Sequence, residues 1–296
     1  MIKRTLYFGN PARLNIQHQQ LVIRKPDQPS FRHTVPVEDI GILLLDNPQI
    51  NITHSVMQQL LKNNVAFITC DEKHLPTGLL LLLNGHTKQS QHFRHQVNAS
   101  EPLKKQLWQQ TVIAKISNQS RLLEMMGIDN KPFAPLIRKV QSGDSTNVEG
   151  QAAKIYWASI FQDFTRERFG AYPNNLLNYG YAILRAIVAR ALTASGLLPT
   201  LGIHHRNQYN AYCLADDIME PYRPYVDYLV IQIMEEYDES IEDLTRDMKA
   251  HLLEIATIDT IINGRRGPLM NNVTRTTASL HQCFAGERRK ILFPEL

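Results

Sequence analysis

The first part of the chain alternates between short apolar runs and polar breaks. KRTLYFG, ARLNI, QLVIRK and RHTVPV are stretches of β-branched, aromatic and aliphatic residues parted by polar or proline-bearing turns, a pattern that predicts strands. GILLLD at 41–46 is apolar almost without interruption, as expected of a strand buried on both faces. In THSVMQQLLKNN, Val56, Met57, Leu60 and Leu61 recur at helical spacing, and Thr53 stands where a cap is needed. VAFITCD at 65–71 predicts another strand. Residues 1–78 therefore read as a small β-rich domain with at least one helix.

Near residue 86 the character changes. HTKQSQHFRHQ is polar and basic with a single aromatic, Phe93, and falls in a linker over 79–100. Beyond it apolar residues recur at three and four positions, which predicts helices over 101–126, 149–168, 176–195, 227–235 and 239–254. Glycines and prolines at Gly127, Pro132, Gly143, Gly170–Pro173 and Gly196–Pro199 mark the breaks. There is no internal repeat. The fold class is α+β: a small β-rich N-terminal domain followed by a larger all-α C-terminal domain over 101–296.

Composition narrows the picture only a little. A chain of 296 residues, 43% hydrophobic and 20% charged, is an ordinary globular protein able to bury a large core. The net charge of +4 permits a polyanionic partner without demanding one. Residues 1–100 hold 10 Lys and Arg against 6 Asp and Glu, so they carry the whole excess. Cys70, Cys213 and Cys283 lie far apart in no CxxC pattern, which argues against a disulfide framework or structural zinc and for a reducing compartment. MIKRTLYFGN has no apolar h-region, and GLLLLLN at 78–84 is far too short to span a bilayer, so a cytoplasmic location without a membrane is expected. No P-loop or dinucleotide fingerprint is present.

Chemistry concentrates in LGIHHRNQYNAYCLADDIMEPYRP at 201–224. Asp217 and Glu220, three apart, share one helical face. Pro221 and Pro224 withhold two backbone N–H groups, so a helix there kinks or restarts. His204 and His205 precede them. Imidazole with carboxylates and no thiolate suits a hard ion such as Mg²⁺ or Mn²⁺, with zinc as the alternative. Each residue also has a structural reading: the acids complement a helix N-terminus, and Glu220 pairs with Arg223. Such a site needs a further carboxylate, and Glu149 in STNVEGQAAKIYW is the candidate. It is equally the end of a capping box begun by Thr146. Gly150 clears space beside it.

VEGQAAKIYW, LNYGYAILRA and LGIHHRNQYNAYCLADDIMEPYRPYVD, in that order, resemble the CRISPR-associated spacer-acquisition integrase family, in the variant that accompanies single-protein RNA-guided effectors. The resemblance covers most of the chain. It implies a divalent-metal-dependent DNA endonuclease and integrase, with Glu149, His205 and Glu220 as catalytic metal ligands and Asp217 either near the ion or behind its ligands. His204 stands as the alternative to His205. It also implies Mg²⁺ or Mn²⁺ as cofactor, and as partners double-stranded DNA (the incoming fragment and a CRISPR repeat), a small ferredoxin-like companion subunit and the RNA-guided effector nuclease. It further implies a homodimer through the β-rich part, where GILLLD and GLLLLLN exceed the needs of so small a core. Lys88, Arg94, Arg265, Arg266, Arg288, Arg289 and Lys290 are the candidates for DNA contacts. Arg185 and Arg190 are expected to be structural partners of buried carboxylates or dimer contacts, and Tyr179 and Tyr181 core aromatics with satisfied hydroxyls. No Ser or Cys is paired with a base by motif, so the attacking group must be external, water or a 3′-hydroxyl. Two rival readings are a metal-dependent hydrolase of small substrates and a non-catalytic DNA-binding scaffold.

Overall fold

The computed structural model describes residues 3–161, 164–167, 170–237 and 244–296. The N-terminal part holds two four-stranded sheets. In the first, β1 (Arg4–Phe8), β5 (Ile40–Leu45) and β7 (Ala66–Cys70) run parallel, and β8 (Pro76–Leu80) closes the edge antiparallel to β7. In the second, β2 (Arg13–Gln17), β3 (Gln20–Lys25) and β4 (Gln28–Pro36) form an antiparallel meander, and the short β6 (Asn51–Ile52) pairs with β2. Helix α1 (His54–Lys62) follows Thr53, whose side chain makes no cap bond and instead contacts the Ser55 hydroxyl.

Strand β5 is buried on both faces, and the period of two explains how. Ile42 and Leu44 point into the interior of the helical part, joined by Ala66 and Ile68 of β7. Leu43 and Leu45 point the other way, with Phe67, into a second interior filled by Leu14, Leu21, Val56 and Leu60. The surplus of apolar residues in GILLLD is thus consumed within the chain. In the other run, Leu79 and Leu81 pack against the helical interior, while Leu83 is 94% exposed.

The helical part is built on α3 (Glu101–Met125), α5 (Val148–Ile160), α6 (Asn174–Ala194), α8 (Arg223–Glu236) and α10 (Leu269–Phe284), with the shorter α4 (Phe133–Lys139), α7 (Cys213–Met219) and α9 (Arg246–Leu253). Helix α6 is buried around most of its circumference, as a central helix must be if it is apolar on all sides. The predicted segment 149–168 is helical to Ile160, and 239–243 of the predicted 239–254 lie outside the described residues. Two differences from expectation stand out. The segment 89–97 is not plain linker but a helix, α2 (Gln89–Val97), packed against α10. The C-terminal part also carries a hairpin, β9 (Asp259–Ile262) and β10 (Arg265–Pro268), turned by Asn263 and Gly264, both at positive φ.

Buried polar bonds join the two parts. Asp46, at the end of β5, is 4% exposed and accepts from Lys249 Nζ on α9 (2.8 Å) and from the Tyr7 hydroxyl (2.7 Å), with His74 Nδ1 at 2.8 Å. Burial alone would raise this carboxyl's pKa, but the hydrogen bonds from Lys249, Tyr7 and His74 leave it lowered. Arg190 on α6 donates to the Asn64 carbonyl at 2.7 Å, a backbone partner rather than the buried carboxylate that was one of its two expected roles, the other being a dimer contact.

Helix α2 docks through a histidine stack. His92 lies against His281 of α10 with ring centroids 3.4 Å apart, and His86 lies 4.3 Å from His92 on its own side. Burial, then the neighbouring His92, pushes His281 down to about 4, although Glu287 pulls the other way. A histidine held neutral in the fold penalises folding as the pH drops below the unfolded value near 6.5, until it too protonates. Hydrogen-exchange protection of the α2 amides should therefore fall between pH 6.5 and 4. In His281→Phe, which keeps the stacked ring and cannot protonate, that loss should be blunted. Equal pH dependence in both proteins would show that the stack is not the cause.

Candidate functional site

Helix α5 begins in a way its sequence disguises. Thr146 does not cap it. Asn147, in the left-handed region at φ 51°, accepts from Gly150 N–H at 3.1 Å. Asp144, also left-handed, accepts from the backbone of Val148 (2.9 Å) and Glu149 (3.0 Å). The first-turn donors that a helix leaves open are thereby satisfied without Glu149. Gly150 serves this cap: a Cβ there would sit 2.7 Å from Asn147 Nδ2 and push the capping side chain away. The Glu149 carboxylate is left free to reach across to α3.

The 201–224 segment places its acids in three different roles. Helix α7 ends at Met219, residues 220–222 form a 3₁₀ turn, and α8 restarts at Arg223, with Pro221 and Pro224 each in a first turn where no N–H is missed. Asp217 is fully buried and ties down the preceding loop. It accepts from the backbone of Ile203 (2.7 Å), His204 (3.0 Å) and His205 (3.2 Å), and from His205 Nδ1 at 2.6 Å. Gly202 permits this approach, because a Cβ would lie 2.7 Å from Asp217 Oδ2. These bonds tie Asp217 to the loop that carries His205. Asp216 is taken up by Arg185, through Nε (2.6 Å) and Nη2 (3.1 Å), the buried-carboxylate pairing expected of that arginine. The hydrogen bond to Asp217 raises the His205 pKa against the opposing effect of burial. His204 is stacked flat on Trp108, 4.1 Å between centroids. Cys213 Sγ donates to the Asn207 and Asn210 carbonyls, and burial raises its pKa.

Glu149 and Glu220 meet through a residue that the sequence did not single out. Lys115 Nζ lies 2.6 Å from Glu149 Oε1 and 2.6 Å from Glu220 Oε2. The second contact is off the line of a hydrogen bond, so it acts as a contact between charges. Arg223 Nε completes Glu220 at 2.8 Å, so that pairing is real but takes only one of the two carboxylate oxygens. Burial works against charge on Lys115, and Glu220 and Glu149 more than reverse it, raising its pKa. Burial likewise opposes the charge on Glu220, and Arg223 and Lys115 overcome it, lowering its pKa. Lys115 sits in register with Trp108, Val112, Gln119 and Leu122 on the buried face of α3; a lysine at a core position of a helix is the signal that would have found it.

A buried floor supports this arrangement. Asp227 of α8 accepts from Tyr156 of α5 at 2.7 Å and from Tyr181 of α6, and burial lifts it to about 6. The same Tyr181 ring lies under the Arg223 guanidinium, 4.4 Å away. Tyr181 is thus a core aromatic with a satisfied hydroxyl. Tyr179 is a core aromatic too, but its buried hydroxyl finds no hydrogen-bond partner among the described residues.

Two carboxylates sharing one cation, beside an imidazole whose Nδ1 is fixed by Asp217, form a donor set suited to a hard divalent ion. Among the described residues no three His, Cys, Asp or Glu side chains already converge as a cage. A cleft of about 480 Å³ opens beside His205, lined by Lys104, Arg206, Asn207 and Asn210 among others. Of the basic candidates, Lys88 and Arg94 are exposed on and before α2, and Arg265 and Arg266 on β10, where Arg266 bonds Asp259 at 2.8 Å. Arg289 and Lys290 are exposed after α10, while Arg288 is half-buried. Among the described residues no helix is long and apolar enough to cross a membrane.

Fold and site together define an α+β protein whose helical body carries a buried acidic centre spanned by a single cation. Residues 6–264 match the family model of the CRISPR associated protein Cas1, and the chain belongs to that family. It is 41% identical over 257 residues to a CRISPR-associated endonuclease Cas1 of Neisseria meningitidis serogroup C (strain 8013), covering 86% of this chain and 83% of that one. Among solved structures, a casposase bound to integration product superposes with a TM-score of 0.80 at 18% identity, covering 98% of this chain and 92% of that one. A chain of a Cas6-RT-Cas1–Cas2 complex superposes at 0.73 with 18% identity, covering 99% of this chain and 36% of that one. At these identities the two structural matches establish the fold.

Proposed function

We propose that this chain is a divalent-metal-dependent DNA endonuclease and integrase that joins short DNA fragments to a CRISPR array. The carrying observation is the convergence of Glu149 and Glu220, from separate helices, on one cation position, with His205 held nearby by Asp217. Membership of the Cas1 family, the endonuclease named among its relatives and the likeness to a casposase caught with its integration product support the reading.

Glu149, Glu220 and His205, through Nε2, would hold Mg²⁺ or Mn²⁺; when bound, the ion polarises the target phosphate and neutralises charge developing on its oxygens. Asp217 fixes the His205 tautomer by accepting from Nδ1, which orients the ring and raises its basicity. Arg223 keeps Glu220 ionised, and the tyrosine-bound Asp227 beneath holds α5 and α8 in mutual register. Among the described residues no side-chain nucleophile stands at this place, so the oxygen that attacks comes from water or from a DNA 3′-hydroxyl. Lys104 and Arg206 on the cleft wall, with the exposed Arg265, Arg266, Arg289 and Lys290, supply charge for the phosphate backbone. As the family resemblance implies, the working form includes a second copy of this chain and a small companion subunit; a Cas6-RT-Cas1–Cas2 complex among the structural matches supports the companion.

The test uses short duplexes with free 3′-ends, a supercoiled plasmid carrying a repeat, and the companion subunit. Covalent joining should require Mg²⁺ or Mn²⁺, vanish with chelator, and stop when the ends are dideoxy-blocked, while binding persists. Joined product from blocked ends would overturn direct attack by the hydroxyl. Activity indifferent to metal would overturn the site.

A further inference from the structure

The position between the two carboxylates is held by a side chain of the protein itself. We infer that Lys115 is a resident counter-ion that holds Glu149 and Glu220 facing each other before metal arrives, and that the divalent ion enters by displacing it; the inference rests on the metal reading above.

The contacts carry the argument. The Lys115 side chain is 12% exposed and its ammonium sits 2.6 Å from an oxygen of each acid. Without a cation there, the two facing carboxylates would repel and turn away from one another. The two acids are not equally provided for. Glu220 keeps Arg223 on its other oxygen. The Glu149 side chain has Lys115 as its partner, so its orientation depends on that one ammonium. The residue type fits a part that must leave. Lysine is a point charge on a flexible four-carbon stem, whereas an arginine would grip both acids with a planar fork. A dication arriving between the same oxygens brings two like charges against the ammonium at contact distance, which the site does not tolerate. Lys115 is therefore a positioning residue, acting through Glu149 and Glu220.

Two measurements test this. In the wild-type chain, amine acetylation read by mass spectrometry should leave Lys115 protected without metal and label it several-fold more when Mn²⁺ saturates the protein. Lys249, buried on Asp46, serves as the internal reference and should not change. Separately, Mn²⁺ affinity measured by loss of the free-ion paramagnetic signal should be tighter in Lys115→Met than in wild type by on the order of tenfold or more, and no tighter in Lys115→Arg. If Lys115→Met does not fold, the wild-type labelling decides. Mn²⁺ bound equally by wild type and Lys115→Met, or with Lys115 labelling unchanged, would overturn the displacement and leave the metal site standing. Absence of Mn²⁺ binding by any of these proteins would sink the metal site and the displacement with it.

Discussion

Replacing Glu220 with Gln should take DNA joining and cleavage below detection, and Glu149→Gln should do the same with the fold intact. The amide keeps the shape of each side chain and removes the charge a divalent ion needs. Glu149 makes no contribution to its helix cap, which rests on Asp144 and Asn147, so its loss cannot be ascribed to a frayed α5. The deficit should exceed the roughly 10–100-fold typical of groups that only orient a ligand. Asp217→Asn, which disturbs the hold on His205, should fall within that smaller range. Metal-dependent joining by either glutamine variant above roughly a tenth of wild type, the mild edge of the outer-partner range, would remove that residue from the site.

The largest effect on stability should come from Lys249→Met. It strips the ammonium from Asp46, a carboxylate 4% exposed at the end of a strand in the interior sheet. Breaking a buried pair by removing one partner costs about 3–5 kcal/mol, because the remaining charge is left in a poor solvent. Tyr7 and His74 still serve Asp46, which places the expected loss toward the lower end of that range. The double variant Asp46→Asn, Lys249→Met should recover most of it, since neither charge is then stranded. Denaturant midpoints of the two variants give the comparison. A single variant as stable as wild type would mean that Asp46 is hydrated despite its burial.

Legibility from sequence followed hydropathy. Strands β1 to β5 and β7 announced themselves through β-branched runs, and α3 and α6 through their spacing. Helix α2 did not, because what it buries is polar. Gln96 donates to the Leu198 and Leu201 carbonyls and accepts from Leu198 N–H, and His92 pairs with the Ser195 carbonyl. Burial achieved by hydrogen bonding leaves no apolar periodicity to read. The hairpin β9–β10 was hidden by a strand made of Arg, Gly and Pro, although Asn263-Gly264 between Ile262 and Arg265 is a turn signal in plain view. In the site, motif resemblance carried Glu149 and Glu220. Lys115 was invisible because a lysine within a helical pattern reads as solvated, and its meaning appears only when α3 is seen to pass between α5 and the 3₁₀ turn at 220–222. Asp144 and Asn147 were passed over for Thr146, since left-handed backbone at a cap is not written in residue type.

Strand β5 has a consequence for how the chain finds its structure. Ile42 and Leu44 belong to one interior, Leu43 and Leu45 to the other. A slip of one residue along its neighbours would exchange the two sets, forcing each interior to accept side chains shaped for its opposite. The same slip would carry Asp46 away from Lys249. The strand therefore admits one register only, and that choice is made once for both halves of the molecule.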